Sequence, residues 1–341
     1  MILRVSLQVI NLIDPSETKT IKPDLSITTP GDLWFVITAE LIRIIVLLSY
    51  PLASSTMTSQ EELNSESQSK DLPFPKYFSA LAANYAQHTG DSTRRMFELS
   101  FDDIQAISPI TKDSIVHDNA AGPGTATSIL VEKFPAGELP AILITDNVPP
   151  MIQGAKESFA SWPRIEARLL DSLNMQDIPA DHFTHSILNF SVFAFSNPLQ
   201  ALQEIHRTLK PGGLAALLTW KRFGAGEVVH AAQAMVRPEL PPMKVPHSEF
   251  LEEGVLRDSA VEAGFDASAI HVSQQSLVVN GPNLDNGLKN FLLGDFTRPA
   301  RAGWTEEEAG RWPEVIGKAI QNELELYGGV KFESWVVIAK K

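Results

Sequence analysis

Between residues 114 and 220 the apolar positions follow two alternating rhythms. Short dense runs at 114–118 (SIVHD), 141–146 (AILITD), 165–171 (IEARLLD), 184–190 (THSILNF) and 214–220 (LAALLTW) have the composition and length of buried strands. The segments between them, 125–134, 150–161 and 198–209, repeat at helical spacing. In the last of these Leu199, Leu202, Ile205 and Leu209 share one face. Strands alternating with helices predict a parallel sheet covered on both sides, a doubly wound α/β fold whose ligand belongs at the carboxyl ends of the strands.

The rhythm changes on both flanks. Residues 222–250 are rich in Pro, Ala and Met and read as an inserted lid or substrate wall. A helix over 249–263 stops at Gly264, and alternation returns at 270–279 and at 331–340 (KFESWVVIAK). Those two strands pair antiparallel and complete a mostly parallel sheet of seven strands. Upstream, Tyr77, Leu81, Ala82 and Tyr85 lie at helical spacing, residues 89–92 (TGDS) break that helix, and RRMFELSFDDI starts another. The folded domain is therefore expected over 77–341, with N-terminal helices, the sheet and the lid.

Residues 57–76 are polar and read as a flexible linker, and 1–56 form an atypical extension. Its apolar stretch at 33–53 approaches the length of a bilayer crossing, but Glu40 and Arg43 would each cost about 3 kcal/mol at a membrane centre. A non-native leader with Met57 as the working start is favoured over an anchor, and a cytoplasmic location is expected.

Charge narrows the partners. The 341 residues carry 28 Lys+Arg and 41 Asp+Glu, a net charge of −13, which disfavours a nucleic-acid partner. Hydrophobic residues at 44% suffice for a core, and the absence of cysteine removes disulfides, thiolate metal sites and thiol nucleophiles. Histidines and carboxylates show no metal-ligand spacing, so no metal is expected.

The chemistry concentrates in IVHDNAAGPGTAT, residues 115–127. A strand ends in Asp118, small residues follow, and a helix starts near Thr125, so a ligand can approach bare backbone and unpaired N–H groups. An ordinary strand-to-helix turn has the same outline. A dinucleotide site needs GxGxxG, but Thr127 takes the third glycine's place, and Asp118 suits a ligand with an amino group and a cation better than a pyrophosphate.

On these residues the chain resembles the class I S-adenosylmethionine-dependent methyltransferases, in particular fungal small-molecule enzymes. Asp118, Gly122 and Gly124 match the first motif, (D/E)xGxGxG, with Ala120 in place of its first glycine. The segments DIPADHFTHSILNF (177–190) and HRTLKPGGLAALLTW (206–220) are similar to the family's later strand signatures. The resemblance implies a Rossmann-like fold and S-adenosyl-L-methionine as cofactor. It also implies cofactor-binding roles for Asp118, Ala120, Gly122 and Gly124 in the first loop, Asp146 at the ribose with Asn147 next to it, Asp171 and Ser172 at the adenine, Asn189 near the methyl group, and Tyr85 over the cofactor.

The expected activity is methyl transfer to a small hydrophobic metabolite, with oxygen as the favoured acceptor atom in secondary metabolite biosynthesis. His230 and His247, both in the insertion, are the candidates for a general base, beside a purely positional mechanism. Rearrangement or cyclisation on the same fold, and a noncatalytic regulatory subunit, remain the alternatives.

Overall fold

The computed structural model describes residues 74–341. The apolar stretch at 33–53, and with it the question of an anchor, lies outside them. Among the described residues no helix is long and apolar enough to cross a membrane.

A seven-stranded sheet runs in the order β3-β2-β1-β4-β5-β7-β6. Its strands are β1 (Ile115–Asn119), β2 (Ala141–Asp146), β3 (Ile165–Leu169), β4 (Phe183–Asn189), β5 (Leu209–Arg222), β6 (Ile270–Val279) and β7 (Val330–Lys340). β7 lies antiparallel between β5 and β6, and β1 to β5 pair in parallel. The expected hairpin of the last two strands is present, with β7 inserted next to β5.

Helices cover both faces: α1 (Phe74–Leu81), α2 (Tyr85–His88), α3 (Ser92–Ile107), α4 (Thr125–Lys133), α5 (Pro149–Ser158), α6 (Pro198–Thr208), α7 (Gly224–Ala234) and α8 (Val255–Glu262). Four more, α9 (Gly281–Asn283), α10 (Lys289–Leu293), α11 (Glu306–Gly310) and α12 (Trp312–Tyr327), separate β6 from β7. Because successive strand residues point to opposite faces, the sheet divides its side chains between two cores. In β5, Leu214, Ala216 and Leu218 join Phe97, Ile129 and Ile316 on one side. Ala215 and Leu217 join Met175, Leu202, Ile205 and Phe250 on the other. Each fully buried Leu or Ile contributes about 1.5–3 kcal/mol.

Two expectations change. Residues 224–234 are no lid: Ala225, Val228, Val229 and Ala232, at helical spacing, bury one face of α7 in the core. Only the chain from Met235 to Ser248 remains as a surface strap, tied to α7 where Gln233 Oε1 accepts the N–H of Met243 at 2.8 Å. The Lys210–Gly213 segment does not end α6 either. The helix stops at Thr208, and the four residues bulge from β5, whose register with β4 jumps from Phe183↔Leu209 to His185↔Leu214. The C-terminal Lys341 explains the bulge. Its N–H and C=O bond Gly213 and Gly212, and its Nζ reaches the carbonyls of Leu209 and Arg207 at 2.8 and 3.2 Å.

Candidate active site

The strand order reverses between β1 and β4, and a cleft of about 700 Å³ opens there at the carboxyl ends of β1, β2 and β4. Six residues expected at a cofactor line it: Tyr85, Ala120, Gly122, Asp146, Asn147 and Asn189. Asp118, Gly124, Asp171 and Ser172 do not.

Asp146 ends β2 and clasps the loop after β1. Its Oδ2 accepts the N–H of Gly122 at 2.8 Å, and its Oδ1 accepts that of Val148 at 2.9 Å. Burial raises its carboxyl above the ordinary carboxylate range, against the lowering effect of N–H groups from Val148, Gly122 and Asn147. A carboxylate accepts about four hydrogen bonds, so room for a ligand hydroxyl remains on it.

Asn189, at the end of β4, donates Nδ2–H to the carbonyl of Thr93 at 3.3 Å, and its buried Oδ1 has no partner. An unpaired acceptor in a ligand cleft is a place for a donor. Tyr85 meets the same Thr93 through its hydroxyl, and burial pushes the phenol up to about 12, so it is neutral at any working pH. Ser191 Oγ donates to the carbonyl of Ala120 at 2.9 Å and joins the loops after β4 and β1.

Backbone strain gathers here. Ala120 (φ 48°) and Phe190 (φ 57°) both occupy the left-handed region, uncommon for residues with a side chain, and both line the cleft.

The other expected site residues stand elsewhere. Asp118 is fully buried and holds Thr127 rather than facing the cleft. Gly124 packs under Phe159, the nearest atom to where a Cβ would stand. Asp171 is exposed and folded into a turn, its Oδ1 accepting the N–H of Leu173 at 2.9 Å. Ser172 turns inward and donates to Asn119 Oδ1 at 2.8 Å. His230 bonds the carbonyl of Met243 at 2.9 Å from α7, and His247 lines a separate recess.

A buried polar chain was not anticipated. His117 Nε2 meets Thr145 Oγ1 at 2.8 Å, Thr145 donates to Asn119 Oδ1 at 3.3 Å, and Ser172 joins at the same oxygen. Its signal in the sequence was polar residues at 117 and 119, alternate positions of a strand too buried to have a wet face. Of the cleft's apolar lining, Met151, Ala194 and Phe195 carried no signal that distinguishes them from core.

The family profile described as a methyltransferase domain matches residues 117–217, the span from β1 into β5 that builds this cleft. Over this span the chain carries a methyltransferase domain and resembles the class I S-adenosylmethionine-dependent methyltransferases. Among curated relatives, methyltransferase tpcH of Aspergillus fumigatus is 26% identical over 226 residues, 62% of this chain and 77% of tpcH. Methyltransferase ktnA of Aspergillus niger is 24% identical over 263 residues, 67% and 85% of the two chains. Methyltransferase ucsB of Acremonium sp is 23% identical over 184 residues, and the chain covers 64% of its length.

S-adenosylmethionine is the cofactor of this methyltransferase. The groups in the cleft fit it: the Asp146 carboxylate could accept from hydroxyls, the unpaired Oδ1 of Asn189 could accept from an ammonium group, and the bare backbone of Gly122 would allow close approach.

Proposed function

We propose that the chain methylates a hydroxyl oxygen of a small apolar metabolite, in secondary metabolite biosynthesis. The observation that carries this reading is the make-up of the cleft. Among the described residues Asp146 is the one carboxylate lining it, and the β4 side offers Phe190, Ala194 and Phe195. A protonated amine acceptor would need a second counter-ion, whereas a neutral hydroxyl on an apolar body needs none. The net charge of −13 favours a small molecule over a nucleic acid.

When bound, S-adenosylmethionine supplies a methyl group already activated by its sulfonium. The chain's part is to hold the reactants in line and exclude water, an advantage on the order of 7–11 kcal/mol at best. Asp146 and Asn189 fix one end of the cleft, and Tyr85 with α1 and α2 covers it.

The test is calorimetric titration of the full chain with S-adenosylmethionine, S-adenosylhomocysteine and NAD, followed by an acceptor screen read by product mass. Binding of the two adenosyl compounds and a gain of one methyl per product are expected. Binding of NAD alone would sink the reading, and a product of unchanged mass would indicate rearrangement instead.

A further inference from the structure

Tyr85 is the residue that α2 contributes to the cofactor cleft. The helix is four residues long, and none of them is buried. A helix this short does not hold itself in place by its own hydrogen bonds, so its position is set by what it touches. At residues 82–84 the cover rests on α5. At its other end α2 meets a single π-type turn, Leu284–Leu288, which joins α9 to α10.

That turn is the firm partner. Leu284, Leu288 and Leu292 are buried in the core, and Trp312 Nε1 of α12 donates to the carbonyl of Leu292 at 3.0 Å. The backbone of Asn286 and Gly287 faces α2. The carbonyl of Asn286 accepts Nε2–H of Gln87 at 2.9 Å. A Cβ on Gly287 would overlap the carbonyl oxygen of Gln87 and lie 3.7 Å from Cα of Gly90. Gly90, at φ 60° just after α2, is as closely fitted: a Cβ there would stand 2.7 Å from Val279 Cγ1 and 3.3 Å from Leu288 Cβ. His88 adds its ring, 6.4 Å from that of Phe291 in α10.

Nothing within the turn itself calls for glycine at 287. Its backbone is outside the left-handed region, where alanine suits a helical turn better than glycine does. The requirement comes from α2. From there the contact leads into the cleft, because the hydroxyl of Tyr85 meets Thr93 and the carbonyl of Thr93 accepts Nδ2–H of Asn189. Tyr85 and Asn189 both line the cleft.

We propose that Gly287 is a positioning residue for the cofactor: the seat it forms with Asn286 docks α2 and so holds Tyr85 over S-adenosylmethionine in the cleft. The proposal rests on the reading of the cleft as the S-adenosylmethionine site. The segment that sets the grip stands between β6 and β7, with Asn286 199 residues along the chain from Gln87.

The probe is S-adenosylhomocysteine, with affinity and dissociation rate measured on the full chain. Gly287→Ala should weaken binding roughly tenfold, chiefly through faster dissociation. Gln87→Ala removes only the bond from an exposed side chain to Asn286; it should weaken binding about threefold, and it decides the matter if Gly287→Ala does not fold. In a Tyr85→Ala background neither substitution should weaken binding further, because the side chain they position is gone, whereas a general loosening of the fold would act equally in both backgrounds. Unchanged dissociation in both variants, or losses that multiply with that of Tyr85→Ala, overturns the proposal. Failure of the wild type to bind S-adenosylhomocysteine overturns the reading of the cleft instead. Amide exchange at residues 85–90, which Gly287→Ala should hasten without any ligand, still judges the seat, and unchanged exchange there overturns it.

Discussion

Thr127 donates twice to one oxygen of Asp118, its backbone N–H at 2.9 Å and its hydroxyl at 2.7 Å, both to Oδ2. Neither residue is exposed. α4 starts from Gly124, which has no side chain to cap it, so the carboxylate at the end of β1 caps Thr127 in the first turn instead. The same threonine that spoils a dinucleotide fingerprint thus closes the loop of this one. Thr127→Val keeps the shape and removes the hydroxyl. It should lower the unfolding free energy by about 1.5–3 kcal/mol, the scale of a hydrogen bond to a charged group, in urea titrations at pH 8.

Asp118 also makes stability depend on pH. Burial pushes its carboxyl up to about 7, more than the Thr127 bonds lower it. With the folded value raised above the unfolded one near 3.9, the folded chain holds the extra proton between them. That stabilisation is complete below about pH 4 and is lost as pH rises through about 7. Asp118→Asn removes it. Between pH 5 and pH 8 the wild type should therefore lose stability relative to the variant, and parallel urea midpoints at the two pH values would show that Asp118 does not titrate there.

The loop's small residues are not equivalent. At Gly124 (φ 88°) a Cβ would stand 2.5 Å from Phe159 Cε2 and 3.2 Å from Ile144 Cδ1, whereas at Gly122 (φ 59°) it would meet only the sulfur of Met151, at 3.7 Å. Gly122→Ala should cost about 1–2 kcal/mol for the left-handed backbone, and Gly124→Ala that plus an overpacking cost of about 1–3 kcal/mol. Ala120 already bears the backbone strain at φ 48°. Ala120→Gly should leave the unfolding midpoint and the S-adenosylhomocysteine affinity equal or higher, and a large loss of affinity would make its methyl a ligand contact.

Asp146→Ala should weaken S-adenosylhomocysteine binding by about 1.5–3 kcal/mol in calorimetry, and it should also lower stability, because the N–H groups of Gly122 and Val148 lose their acceptor. An unchanged affinity would leave Asp146 only its role as a clasp.

Strand and helix order between 114 and 220 was legible because periodicity is local: each buried run records the face it turns to the sheet. α7 was not, because its Ala, Val and Gly residues resemble a mobile strap until the partner α12 is known. The same limit applies to the site. Asp146 and Asn189 were legible as polar residues at strand ends. The inward turn of Ser172 and the outward one of Asp171 depend on the bend after β3, an edge strand whose register no sequence pattern records. Phe190 and Trp220 stack only because β4 and β5 are adjacent.

His117 gives the opposite pH signature to Asp118. Its ring stacks on Phe183 at 4.5 Å and 12°, fully buried, and its Nε2 meets Thr145. Burial, with His182 adding to it, pushes its pKa down to about 3. The unfolded chain therefore takes up a proton below about 6.5 that the folded chain refuses. Stability is complete above that pH and falls as pH drops toward 3, so His117 promotes acid unfolding where Asp118 resists it. His117→Phe keeps a ring against Phe183 and removes the titration. At pH 8 it should cost about 1 kcal/mol for the lost bond to Thr145. Its acid unfolding midpoint, followed by circular dichroism, should lie at lower pH than that of the wild type once that constant loss is subtracted. A midpoint that remains at or above the wild-type value after the subtraction would assign the acid sensitivity to groups other than His117.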